Sequence, residues 1–197
     1  MALPKYDKSK RKRQRKLLPK GAYVVKIKGA REEENKKKGT GSHLSIAFDI
    51  AEGEYAGFFE SEFSERTDED KKWPNDGMFY INIPSDNSPE YVWNNYNTFF
   101  ADLEDSNNGF VFKGNIKTLN GKLIGGKFAL EQSEYQGRIY DHMRMVWTCV
   151  ADDVRNGDPG AMPNDRLISK KPSSPTPTSA STEWMEVPDG DDEEVPF

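Results

Sequence analysis

Cysteine is almost missing from this chain. Cys149 is the only one among 197 residues, so no internal disulfide can form and no thiolate metal cage can be assembled. It lies in the apolar run Met145–Val150 and reads as a core thiol, not a nucleophile. Histidine is nearly as scarce, with His43 and His142 alone, and no CxxC, HExxH, GxSxG or P-loop pattern occurs. A metal-dependent nuclease would have to draw on Asp49, Glu52, Glu60 and Glu62, which fall on expected strand faces without a lysine motif beside them. No enzyme, no catalytic residue, no metal and no cofactor is therefore expected. No apolar run approaches the ~18 residues that a membrane span needs. The basic start of the chain lacks the apolar stretch of a secretory signal, so the expected compartment is the cytoplasm.

Charge is plentiful and unevenly spread. Residues 1–20 carry nine Lys or Arg against Asp7, a net of +8; residues 183–197 carry seven acids and no base, a net of −7. The whole chain is −5, which leaves −6 for residues 21–182. An acidic centre suits a nucleic-acid binder only if its bases gather on one face. With 35% hydrophobic and 31% charged residues, the chain has room for one folded domain flanked by polar tails.

Four segments follow. Residues 1–18 form a basic arm in which Lys10, Arg11, Lys12, Arg13, Arg15 and Lys16 repel one another and suit phosphate contact. Residues 19–155 form the folded domain. Residues 156–188 form a linker rich in Pro, Ser and Thr that cannot build a core. Twenty such residues reach on the order of 25 Å. Residues 189–197 form an acidic tip.

Within the domain, alternation predicts about six strands. Tyr23, Val25 and Ile27 face one way with Lys26 and Lys28 opposite, and Leu44, Ile46, Phe48 and Ile50 line one face of the next. Further strands are expected at 58–66, 78–83, 110–114, 123–131 and 138–150, the last two or three after a helix. Ser88 and Pro89 open that helix, Val92, Tyr96, Phe99, Phe100 and Leu103 recur along it, and Asn107-Asn108-Gly109 stops it. Gly125-Gly126 suggests a bulge or sharp bend. Strands without βα alternation, with one helix before the final two or three, fit a mainly β fold: a small closed barrel of the OB type. An open β-sandwich is the alternative.

The last strand sets Arg138, Tyr140, His142 and Arg144 on one face, with Ile139, Met143, Met145 and Trp147 on the other. Cations alternating with rings suit single-stranded nucleic acid, because cations follow phosphates while rings stack on bases. Lys26, Lys28, the loop lysines Lys36, Lys37 and Lys38, and Lys113, Lys122 and Lys127 are expected to add charge to the same groove. Trp73, next to Pro74 in a polar loop, is a candidate stacking ring.

The tip Asp191-Asp192-Glu193-Glu194-Val195-Pro196-Phe197 places an aromatic ring beside acids, a handle that a basic-rimmed apolar pocket can hold. It resembles the C-terminal tip of bacterial and bacteriophage single-stranded-DNA-binding proteins, departing only in Val195 and in two Glu among the acids. Leu18-Pro19-Lys20-Gly21-Ala22-Tyr23 and the stretch Leu44–Gly57, with Glu52-Gly53-Glu54-Tyr55-Ala56-Gly57, are similar to a group of bacteriophage proteins from replication or recombination clusters. The resemblance implies an OB-like binder that coats single-stranded DNA without sequence choice, in the bacterial host cytoplasm. It also implies that replication or recombination proteins (a helicase, primase, polymerase, nuclease or recombinase) take the tip. A homo-oligomer is compatible with it. The alternatives are an interaction adaptor that binds no DNA and a strand-annealing protein.

Overall fold

The computed structural model describes residue 5 and residues 16–35, 41–66 and 70–168. The arm residues Lys10, Arg11, Lys12, Arg13 and Arg15, the loop lysines Lys36, Lys37 and Lys38, and the tip Asp191–Phe197 lie outside the described residues.

The fold is mainly β. Strands β1 (Gly21–Glu34), β2 (Ser42–Ile50), β3 (Met78–Asn82), β4 (Leu123–Tyr135) and β5 (Arg138–Cys149) form one antiparallel sheet in the order β3-β2-β1-β4-β5. Helices α1 (Phe58–Ser64), α2 (Glu90–Asp105) and α3 (Ala151–Arg155) and two short 3-10 turns, Asn75–Gly77 and Ile116–Leu119, complete it. The expected alternation holds in β1 and β2: Val25, Ile27, Leu44, Ile46, Phe48 and Ile50 are all buried. Burying side chains of this size stabilises by roughly 1.5–3 kcal/mol each. Phe128, Met143 and Met145 face them from β4 and β5, and Phe99, Phe100 and Leu103 of α2 close the core.

Closure into a barrel is the expectation that fails. Among the described residues β3 and β5 are sheet edges with no ladder between them, although the two strands approach each other. A side chain occupies that seam instead. Asp76, 3% exposed in the turn before β3, accepts the Met143 backbone N–H through Oδ2 at 3.3 Å and meets His142 Nδ1 through Oδ1 at 3.1 Å. An amide that a neighbouring strand would take is thus held by a carboxylate.

Two expected strands are not strands. Residues 58–64 are α1, because Asp49 reaches over from β2 and accepts the backbone N–H groups of Phe59 (2.9 Å) and Glu60 (3.3 Å). Those are orphan donors of a first helical turn. Phe59 then packs edge-on against Phe48 with ring centroids 5.5 Å apart. Residues 110–114 are irregular: Phe112 stacks on Phe100 at 4.1 Å, and its amide is taken by Glu104 Oε1 at 2.8 Å. The α2 start also shifts by one: Pro89 is the N-cap, while the Ser88 hydroxyl accepts the Ser85 N–H. Residues 156–168, which the sequence assigns to the linker, include a segment held against the sheet. Past Phe128 the β1 side of β4 is free of β1, and Arg166 takes it, donating its N–H to Leu130 O at 2.8 Å and accepting from Gln132 N at 2.9 Å.

Candidate nucleic-acid interface

Two β-bulges decide which side chains face outward. In β1 the register with β2 slips between Ile27 and Gly29. Ile27 lies opposite Phe48 and points inward; Gly29 and Arg31 lie opposite Ala47 and Ser45 and point outward. Arg31 therefore joins the outer face, while Lys28 is the extra residue of the bulge. In β5 the register with β4 slips at Val146, so Met145 pairs with Phe128 while Trp147 pairs with Lys127. Parity reverses there. Trp147, expected on the core face with Met143 and Met145, is instead 48% exposed.

An open groove of about 750 Å³ crosses the outer face of β1, β2 and β3. Its walls include Arg31, Lys71, Lys72, Trp73, Asn75 and Tyr80. Cations and rings stand together here over the small residues Gly29, Ser45 and Ala47. Arg31, Lys71, Lys72 and Tyr80 were not singled out in the sequence. The bulge in β1 brings Arg31 to this face, the pairing of β2 with β3 brings Tyr80, and the segment before Pro74 supplies Lys71 and Lys72. Tyr80 is 47% exposed, and its ring lies 5.7 Å from His43.

Trp73, the candidate stacking ring, lines this groove and is half-buried. Its indole N–H donates to Gly77 O at 3.0 Å and its ring packs on Phe63 at 5.5 Å. Pro74 does not keep it out of the core, because Pro74 is itself fully buried.

The β5 stripe borders the groove through the turn Asn75–Gly77, where Asn75 lines the groove and Asp76 holds His142. Its members differ. Arg138 and Tyr140 are exposed near the β4–β5 turn. His142 is held between Asp76 and the Ser133 hydroxyl, the latter at 2.9 Å from Nε2. Arg144 lies between Glu131 Oε2 (3.3 Å) and Asp76 Oδ1 (4.0 Å), and its buried Nε makes no hydrogen bond. The two inner stripe residues thus face carboxylates.

The remaining predicted cations do not line this groove. Lys28 pairs with Glu60 at 2.8 Å beside α1. Lys26 is exposed opposite Asp49 of β2. Lys113 and Lys122 border a separate hollow near Phe110, with Lys122 Nζ 4.4 Å from that ring. Lys127 is a buried lysine whose Nζ donates to Ala161 O at 3.2 Å. Lys16, alone of the named arm residues, is described, and it is exposed.

Other polar groups act structurally. Glu33 accepts from the Ser45 hydroxyl and pairs with Arg31, and that hydroxyl, more than the guanidinium, holds its carboxyl below the usual range. Burial pushes the Cys149 thiol up to about 11, so it stays protonated and unreactive. Among the described residues no His, Cys, Asp and Glu cluster is arranged to hold a metal ion. No helix there is long and apolar enough to cross a membrane. Compared with protein-family models and with curated proteins, the chain matches neither.

Proposed function

We propose that this protein binds single-stranded DNA without sequence preference. The strand runs across the outer face of β1, β2 and β3 and along the exposed end of the β5 stripe. The observation that carries the reading is the groove in which Arg31, Lys71 and Lys72 surround Tyr80 and Trp73. Aromatic faces stack any base, and cations at the rim neutralise phosphates, so such a site needs no particular sequence. The strand order, with α2 between β3 and β4, supports an OB-like barrel left open at the β3–β5 seam. In that layout the β4–β5 turn flanks the groove. The basic arm, residues 1–18, adds phosphate contacts, and the acidic Asp191–Phe197 segment recruits replication or recombination proteins.

Titration of the full chain with labelled oligo(dT) at several salt concentrations tests this. Saturable binding is expected, weakening with salt at a log–log slope of roughly −0.7 per phosphate contacted. Tyr80→Ala is expected to cost about 1–3 kcal/mol. Lys71→Ala with Lys72→Ala flattens the slope. Absence of any binding at low salt overturns the proposal.

A second reading, an interaction adaptor, is favoured by the −6 charge of residues 21–182 and by the carboxylates that face His142 and Arg144. The same titration decides between them. Faster pairing of complementary strands in the presence of protein would identify a strand-annealing activity.

A further inference from the structure

A second cleft, of about 460 Å³, opens where β3 and β5 fail to pair. Tyr80 and Asn82 wall it from β3, Tyr91 from α2 and Trp147 from β5, with Lys127 and Arg166 also in its lining. Its rings are accessible: Trp147 is 48%, Tyr80 47% and Tyr91 65% exposed. Large aromatics standing together in the open are unusual on a surface that binds nothing.

Register explains how Trp147 arrives there. His142 lies opposite Glu131, Arg144 opposite Ala129 and Trp147 opposite Lys127. Glu131, Ala129 and Lys127 are two apart along β4 and share one face. The extra residue Val146 therefore moves Trp147 onto the face that carries Arg138, Tyr140, His142 and Arg144. The row of cations and rings does not stop at Arg144; it continues into the cleft. Tyr80 borders the outer groove on one side and this cleft on the other. A single chain of bases can pass from one to the other without leaving an aromatic surface.

We propose that the seam cleft is a second base-stacking subsite, in which Trp147 and Tyr91 stack nucleobases of the strand held by the outer groove. Arg166 meets its phosphates. The proposal rests on the single-stranded-DNA reading and assigns it a longer footprint. Lys127, buried and bonded to Ala161 O, contributes positive charge to the lining. Arg166 is 3.8 Å from Glu131 through Nη1 and keeps a well-exposed side chain for a phosphate.

The test is the dependence of affinity on oligonucleotide length. Full-length protein and its Trp147→Ala, Tyr91→Ala and Arg166→Ala variants are titrated with oligo(dT) from four to twenty nucleotides. Trp147→Ala is expected to weaken the longer oligomers about five- to hundredfold while leaving the shortest unchanged. Tyr91→Ala and Arg166→Ala act in the same direction, and both side chains are exposed, so neither variant opens the core. Photocrosslinking of a 5-bromodeoxyuridine oligomer, mapped by mass spectrometry, is expected to mark Trp147 or Tyr91 in the unaltered protein. If all variants bind every length normally, and crosslinks fall only on Tyr80 and Trp73, the second subsite is overturned and the outer groove stands alone. If no oligomer binds even the unaltered protein, both proposals fall together.

Discussion

Single residues set limits that composition does not show. Gly125 packs so closely against the end of β5 that a Cβ would stand 2.7 Å from Cys149 Sγ and 2.9 Å from its backbone oxygen. Backbone cannot yield cheaply, so Gly125→Ala is expected to lose about 1–3 kcal/mol in urea denaturation. The Gly125-Gly126 pair signalled a bulge or sharp bend in its own strand, but the inserted residue opposite Lys127 and Phe128 is Val146 of β5. Asp102 gives a pH signature. Burial holds its carboxyl above the ordinary 3.8, against the opposing pull of the Thr148 hydroxyl and Lys127. Its folded value therefore exceeds its unfolded one. The charged form costs stability as pH rises through the folded value, and that cost vanishes below 3.8. Asp102→Asn is expected to raise the urea midpoint relative to the unaltered protein at pH 7, with the difference shrinking by pH 4.

At the scale of elements, one side chain decides a secondary structure. Phe58–Ser64 alternates in hydrophobicity and reads as a strand, yet it forms α1. Phe59 and Phe63 are four apart and satisfy a helix as well as an alternating pattern. Asp49 decides the matter by accepting two amides of the first turn, besides the Ile50 N–H at 2.9 Å. Asp49→Ala leaves these donors without that acceptor and is expected to cost about 1–3 kcal/mol, read as a lower urea midpoint. Weakened protection of the Phe59 and Glu60 amides in hydrogen exchange would locate the loss. The long-range acceptor is invisible in a local window, which is why α1 was not legible there. The helix α2, with five apolar positions at helical spacing and its own stop signal, was legible to within one residue.

At the scale of the whole molecule, the open seam is the decisive feature. Asp76 ties the start of β3 to β5 where a ladder would otherwise run. Asp76→Ala is expected to lose about 1–3 kcal/mol of global stability. Exchange of the Met143 amide should accelerate while the central amides of β1 and β2 keep their protection. The sequence by itself determined that the chain is mainly β, where its core alternation falls, and that a helix precedes the final strands, because burial imposes a period of two or 3.6 on apolar residues. It also marked the ring-and-cation character of β5. Only the tertiary structure decided which cations share a face with which rings. An inserted residue in β1 and another in β5 reverse parity, taking Lys28 away to Glu60 and bringing Arg31 and Trp147 outward. Such bulges depend on pairing with a strand far along the chain, so no single segment encodes them.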